Sequence, residues 1–474
     1  MRLPTRLLPS LAGLAAALGP AAAAARADVP AAPYVPGQVV VRYAARTPLV
    51  ARAATDRAAG AVALAQPKPA TAPFRVLRLR AGTSVPDALR RLRSTPGVLA
   101  AVPNYRVSAA GQAGAFFPRD PGSTSRAGAW TRFQWNFLQG AGVDAPGAWA
   151  NLIAAGHPGG SGVRIAVLDT GVAYRNWGHF RRSPDFATTR FADPYDFVAH
   201  NRFPLDRDGH GTHVTGTLAE ETNNRVGVTG LAYGATLIPV RVIGPNSGDV
   251  EVAAGIRYAV QHHAQVINMS LEFPDRYATL SPADIPDVID AINYAHRRGV
   301  VVVAASGNEG PRVSYPARAQ HVVAVGASTV HRCLADYSNH GEGIDLVAPG
   351  GGDDAYLPQD PNCHVDDPSG RPIYQETLLQ REVTVRRHGR VVGSSTRADA
   401  AHFGLQPVWA GTSMASPHVA ATAALIIASG VIGPHPSPDA VAARLESTAR
   451  DLGTPGYDLR YGYGLVDAAR ATAP

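Results

Sequence analysis

The feature that most constrains this 474-residue chain is an alternation of short apolar runs with longer stretches of helical period. Residues 236–242, 265–270, 299–306 and 321–327 are rich in Val, Ile and Ala and show no polar alternation. A strand apolar on both faces belongs in a sheet covered on both sides, usually parallel strands joined by helices. Residues 211–220, 250–263, 285–298, 413–429 and 438–447 supply the helical periods. No internal repeat interrupts the pattern. The expectation is one large α/β domain over residues 116–474, long enough to bury a substantial core.

Chemistry-bearing residues stand where these elements end. The run 163–169 closes on Asp169, followed by Thr170 and Gly171. Functional groups in such folds gather beyond the carboxyl ends of the strands. His210 opens an apolar helix, and Ser413 sits in the first turn of another, between Gly411 and the Ser416-Pro417-His418 segment. A serine hydroxyl is a poor nucleophile without a base. A histidine can take its proton, and an aspartate can hold the imidazole tautomer. The chain order Asp, His, Ser is one of three known orders for this trio. Asn308, in the Gly-rich loop after residues 299–306, and the Ser413 N–H suit the oxyanion that acyl transfer creates. The helix start adds positive potential. Singly, these are a turn, a bend and an N-cap. Their joint occurrence in one order is what points to catalysis. His213 and His418 are expected to pack or bond locally, without chemistry.

With these residues in place, the chain resembles the subtilisin-like serine proteases over roughly residues 130–474. Asp169-Thr170-Gly171, His210-Gly211-Thr212-His213-Val214, Ser306-Gly307-Asn308 and Gly411-Thr412-Ser413-Met414-Ala415-Ser416-Pro417 carry the resemblance, and the segment from Gly462 to Ala468 adds to it. Thr215 and Ala420 replace small residues usual in the family. The resemblance implies a three-layer fold, a mostly parallel sheet between two layers of helices. It implies Asp169, His210 and Ser413 as catalytic triad and Asn308 as oxyanion donor. Ser270, Leu271, Glu272 and Glu309 would bind substrate. Glu272-Phe273 follow Leu271 where the family has Gly-Gly, so the primary specificity pocket should differ in shape. Residues 245–249 would line more distant subsites. A structural Ca²⁺ site is also implied, from the carboxylate of Asp185, the side-chain oxygen of Asn224, and the carbonyls of Thr222, Val226 and Val228. These are the hard oxygen donors calcium prefers. The alternative there is a plain turn, which Asn223-Asn224 would also form well. An active endopeptidase, a catalytically silent binding protein and an esterase on the same fold are the function classes in play. All four chemical residues are present, which favours an enzyme over a binding protein; the triad alone does not separate peptidase from esterase, and a monomeric peptidase is the expectation.

Arg2 and Arg6 precede an Ala-rich apolar stretch, residues 7–25, broken by Pro9 and Pro20. Ala25-Arg26-Ala27 fits a cleavage site, so residues 1–27 read as a signal peptide and the protein as secreted, to periplasm or medium. A membrane span is the alternative, but no stop-transfer flank follows. Residues 28–115 read as a small α+β domain with strands at 36–43, 74–79 and 97–105 and a helix at 85–94. Residues 44–73 read as loop and linker. This order resembles the subtilase propeptide, which caps the active site and assists folding; a permanent binding module is the alternative. The whole chain carries 44 Lys and Arg against 37 Asp and Glu. Residues 1–115 hold 15 of the basic residues and 3 of the acidic ones, leaving 29 against 34 elsewhere. A basic cap and an acidic body attract at long range. The basic excess lacks interleaved aromatics or a recognised motif, so it argues against nucleic acid as a partner. Residues 350–408 form an insertion, expected as surface decoration, with a substrate-shaping role as the alternative, and with a hairpin around His388-Gly389. Cys333 and Cys363 allow one intramolecular disulfide, which secretion would permit.

Overall fold

The computed structural model describes residues 34–63, 74–105, 115–273, 280–387 and 390–474. The expected signal peptide and its cleavage site lie outside the described residues, as do residues 106–114. The chain divides into two units, Met1–Gly111 and Gln112–Pro474.

The first unit contains β1 (Tyr34–Tyr43), α1 (Leu49–Ala58), β2 (Ala61–Ala63), β3 (Phe74–Leu79), α2 (Val85–Arg93) and β4 (Val98–Tyr105). Its antiparallel sheet has the order β2-β3-β1-β4. Val39, Val41, Leu77 and Leu79 pack on Ala88, Leu89 and Leu92 of α2. That helix starts where Ser84 Oγ accepts from the Asp87 N–H at 3.2 Å, an N-cap that satisfies one orphan donor. Its buried positions 85, 88, 89 and 92 form one stripe. The expected strands and helix are present, but residues 44–73 are not all loop. Alanine favours α1, yet α1 lacks an apolar stripe: Leu49 and Val50 are exposed and only Asp56 is buried. Asp56 is held by the Tyr43 hydroxyl and, at 3.7 Å, by Arg75. A helix anchored by a buried carboxylate leaves no periodic signal.

The second unit begins with α3 (Ala145–Ala154), β5 (Arg164–Asp169), β6 (Arg190–Phe191), β7 (Tyr195–Asp196), α4 (His210–Ala219) and β8 (Thr236–Arg241). It continues with α5 (Asp249–Gln261), β9 (Val266–Met269), α6 (Pro286–Arg297), β10 (Val301–Ala305), β11 (Val322–Ser328) and β12 (Leu346–Pro349). β13 (Glu376–Arg387), β14 (Arg390–Leu405), α7 (Thr412–Ser429), α8 (Pro438–Thr448) and α9 (Ala468–Thr472) complete it. The eight-stranded sheet has the order β12-β11-β10-β9-β5-β8-β6, with β7 also on β8, and its pairs are parallel. Side chains of β5 divide between two cores. Ile165 and Val167 join residues of α4, α7 and α8, whereas Ala166 and Leu168 join residues of α5 and α6. That division is the three-layer arrangement. Each buried Val, Leu or Ile contributes about 1.5–3 kcal/mol, which is why the strands carry no polar face. α7 is apolar nearly all round and runs through the larger core, ending at Gly430 with φ +67°.

The hairpin of the insertion is longer than expected: β13 and β14 pair from Glu376↔Leu405 to Arg387↔Arg390. Thr377 Oγ1 donates to the Gly209 carbonyl at 2.5 Å and Gln380 Nε2 to the Asp208 carbonyl at 2.6 Å, beside His210. Cys333 and Cys363 are bridged. Among the described residues, no helix is long and apolar enough to cross a membrane.

Candidate active site

The carboxyl end of β5 delivers Asp169, whose side chain is fully buried. Its Oδ1 accepts from His210 Nδ1 at 2.7 Å and from the Thr170 N–H at 2.7 Å. His210 opens α4 after Gly209, whose φ of +101° requires the freedom of glycine. Gly211 must also be glycine, because a Cβ there would overlap the Gly171 carbonyl and stand 3.0 Å from Asp169 Oδ1. Asp206, absent from the sequence-based set, ties this corner together. Its carboxylate accepts from Thr170 Oγ1 at 3.0 Å, the Gly209 N–H at 3.0 Å and the Thr212 N–H at 2.9 Å. Burial would lower the pKa of His210; the charge and hydrogen bond of Asp169, then Asp208 and Asp206, outweigh it and bring it to about 9.

Ser413 lies in the first turn of α7. Its Oγ donates to the Ser270 carbonyl at 3.4 Å, and in this rotamer it makes no hydrogen bond to His210. Pro417 has no N–H to offer the Ser413 carbonyl one turn back. Ser270 Oγ fills that role, donating to the Ser413 carbonyl at 2.8 Å while accepting from Asn268 Nδ2 at 3.0 Å. Ser270 therefore braces the nucleophile's backbone. Asn308 Oδ1 accepts from the Thr412 N–H at 2.9 Å and Thr412 Oγ1 at 3.0 Å. This fixes which way the amide points. A Cβ placed on Gly411 would stand 3.7 Å from Ser413 N and 3.8 Å from Asn308 Nδ2, so the two expected donors border one small space.

A cleft of about 430 Å³ runs past His210, lined in part by Val242, Ile243, Leu271, Glu272 and Phe273. Gly244, Ser247 and Gly248 also line it. Glu309 is exposed on the loop after Asn308, its N–H donating to Asn339 Oδ1 at 2.7 Å. Trp409 is a neighbour of His210 that sequence reasoning missed; its ring lies 6.1 Å from that of His210 and 5.1 Å from that of His213. His213 and His418 bond locally: His213 Nε2 to the Ile373 carbonyl at 3.0 Å and His418 Nδ1 to the Met414 carbonyl at 2.9 Å. Thr215 Oγ1 donates to the Gly211 carbonyl at 2.6 Å.

At the expected calcium loop, Asp185 is buried, accepting from Asn224 Nδ2 at 2.7 Å and from the Val228 N–H at 2.8 Å. Asn224 Oδ1 accepts from the Val226 N–H at 2.7 Å, so here the amide turns its nitrogen, not its oxygen, to Asp185. Burial pushes Asp185 up to about 8, with Glu376 and Asp120 adding to it against the bonds from Asn224 and Val228. Asp120, Glu220 and Glu376, which the sequence did not single out, add further carboxylates around Asp185. The donor set of carboxylate, amide oxygen and the carbonyls of Thr222, Val226 and Val228 fits a hard cation.

Residues 160–464 match the Subtilase family, and residues 20–104 the Fervidolysin N-terminal prodomain. The chain is 31% identical over 400 residues to the thermophilic serine proteinase of Bacillus sp. (strain AK1), covering 84% of this chain and 79% of that protein. It is 36% identical over 316 residues to Subtilisin Savinase of Lederbergia lenta, covering 66% of this chain and 91% of that protein. A solved structure of a protease from Pseudoalteromonas arctica superposes with a TM-score of 0.54 at 30% identity, covering 75% of this chain and 99% of its own. A sheet ending in Asp169, helices opened by His210 and Ser413, and these matches across both units lead to one conclusion: the chain is a member of the subtilase family, a subtilisin-like serine protease with an N-terminal prodomain.

Proposed function

We propose that this is a secreted endopeptidase in which Asp169, His210 and Ser413 hydrolyse peptide bonds of protein or peptide substrates, through an acyl-enzyme. The observation that carries this is the 2.7 Å bond from His210 Nδ1 to buried Asp169, with Asn308 held against Thr412 and Ser413 against Ser270, which lines the His210 cleft. The bond fixes the tautomer, leaving Nε2 as the base. The Ser413 hydroxyl turns from the Ser270 carbonyl toward Nε2; such bonds often tighten only when substrate is bound. Oγ attacks the carbonyl carbon and its proton passes to Nε2. The oxyanion takes hydrogen bonds from Ser413 N and Asn308 Nδ2. The imidazolium, stabilised by Asp169, then protonates the leaving amine. A water repeats the sequence on the acyl-enzyme and frees Ser413.

Residues 28–115 act as a removable propeptide and residues 1–27 as the export signal. Asp185, Asn224 and the carbonyls of Thr222, Val226 and Val228 would hold a stabilising Ca²⁺, which takes no part in the chemistry. Ser413→Ala should lower turnover about 10⁶-fold, the loss known for a subtilisin nucleophile, and should leave the propeptide uncleaved. Peptide hydrolysis assays and mass spectrometry of the purified variant test this. Near-native turnover in Ser413→Ala would sink the assignment.

A further inference from the structure

We propose that Glu272 makes this peptidase select arginine or lysine at the substrate residue that supplies the scissile carbonyl. The inference rests on the proposed roles of Ser413 and Asn308, and it names a substrate class for that site.

Glu272 follows Ser270 and Leu271 at the exit of β9 and lines the cleft. Its Oε2, Asn339 Nδ2 and Ser314 Oγ occupy the space that a Cβ on Gly307 would fill, Ser314 Oγ at 2.8 Å from it. Gly307 immediately precedes Asn308. With the oxyanion between Asn308 Nδ2 and Ser413 N, the side chain one carbon away leaves between segments 270–272 and 306–308. The Glu272 carboxylate, packed against Gly307, borders that space.

The carboxylate is short of donors. Among the described residues, Oε2 is buried and has no hydrogen-bond partner. The neighbouring Asn339 amide is committed elsewhere: Nδ2 donates to Ser314 Oγ at 3.0 Å, and Oδ1 accepts from the N–H groups of Glu309 and Gly310 at 2.7 and 2.6 Å. Burial, the largest influence, pushes the Glu272 carboxyl up, and the charge of Glu309 pushes the same way, against the Ser314 hydroxyl and the Asn308 N–H. Among the described residues, no lysine or arginine acts on it. The cleft lining holds Asp208 as its other acidic side chain and no lysine or arginine. One oxygen of a largely desolvated carboxylate is thus left without a donor, which is costly. A guanidinium or ammonium brings both the donors and the opposite charge, in the strongest class of hydrogen bond.

The test uses self-processed enzyme made from the full chain. Four peptides differ only at the acyl-side residue: arginine, its neutral isostere citrulline, leucine and alanine. Arginine should exceed citrulline by about 100-fold in kcat/KM, as expected for a desolvated charge pair. The ratio should approach one in Glu272→Gln. If that variant does not fold, the wild-type ratio decides, together with its decline on acidification as the carboxylate gains a proton. Equal turnover of arginine and citrulline would overturn the proposal. So would alanine as the best residue, since the carboxylate would then merely fill the pocket. In either case continued Ser413-dependent hydrolysis of the peptides leaves the triad reading intact.

Discussion

A base must be neutral to accept a proton, and His210 is surrounded by groups that keep it charged. Its pKa of about 9 results from Asp169, Asp208 and Asp206 overcoming the opposing effect of burial. The sign follows directly: below about 9 the imidazole is mostly protonated, and turnover should climb as pH rises through that value. Asp208→Asn keeps an oxygen for the His210 N–H, which Asp208 Oδ1 accepts at 3.2 Å, but removes a charge. The ascending limb of kcat/KM against pH should then move to lower pH; an unmoved limb would refute the electrostatic account. His213 and His418 show the opposite case. Burial pushes them down to about 3 and about 4, so they stay neutral and serve as donors and acceptors inside the core.

At the scale of the element, α7 carries a proline within a buried helix without breaking, because the carbonyl it orphans is that of Ser413. The Ser270 hydroxyl supplies the missing donor. Ser270→Ala should cost about 1–3 kcal/mol, the penalty for leaving a buried acceptor unpaired. Pro417→Ala in that background returns an N–H to the helix and should recover part of the loss. Denaturant unfolding of the two single variants and the double variant closes the cycle. Simple additivity would show that the two residues do not share the Ser413 carbonyl. Where the cycle shows coupling, kcat should follow the same order, since this carbonyl sets the position of the nucleophile.

At the scale of the whole molecule, the features open to test are the charge contrast and the proposed cation. Residues 1–115 carry 15 basic against 3 acidic residues, the rest 29 against 34. The excised 28–115 segment should inhibit the mature enzyme, and less so as salt rises and the Debye length falls below about 10 Å. Inhibition insensitive to salt would remove charge from the explanation. At the Asp185 loop, calcium at 100 times its dissociation constant should add about 2.7 kcal/mol to stability. Thermal midpoints in calcium and in chelator measure it. Asp185→Ala should abolish the difference, and a wild type that melts alike in both has no such site.

The layers of this fold were legible in residues 163–169, 236–242 and 299–306, because a strand buried on both faces must be apolar throughout and such strands need helical cover. The places of Asp169, His210, Ser413 and Asn308 at element ends were legible for a related reason: glycines and helix starts are local demands of backbone geometry. Helix α1 was not, because its buried anchor is one aspartate meeting Tyr43 and Arg75. The brace from Ser270 to the Ser413 carbonyl joins residues 143 apart, and Asp206 gains its meaning from Thr170 and Thr212 around it. Glu272 was visible as a departure from a family pattern, but its placement over Gly307 with one oxygen unpaired depended on contacts with distant segments. The sequence by itself determined the local periods, the turns and the order of the chemical groups. Which side chains share a buried space, and so which charges go unpaired, depends on contacts between distant segments, and only the tertiary structure decided that.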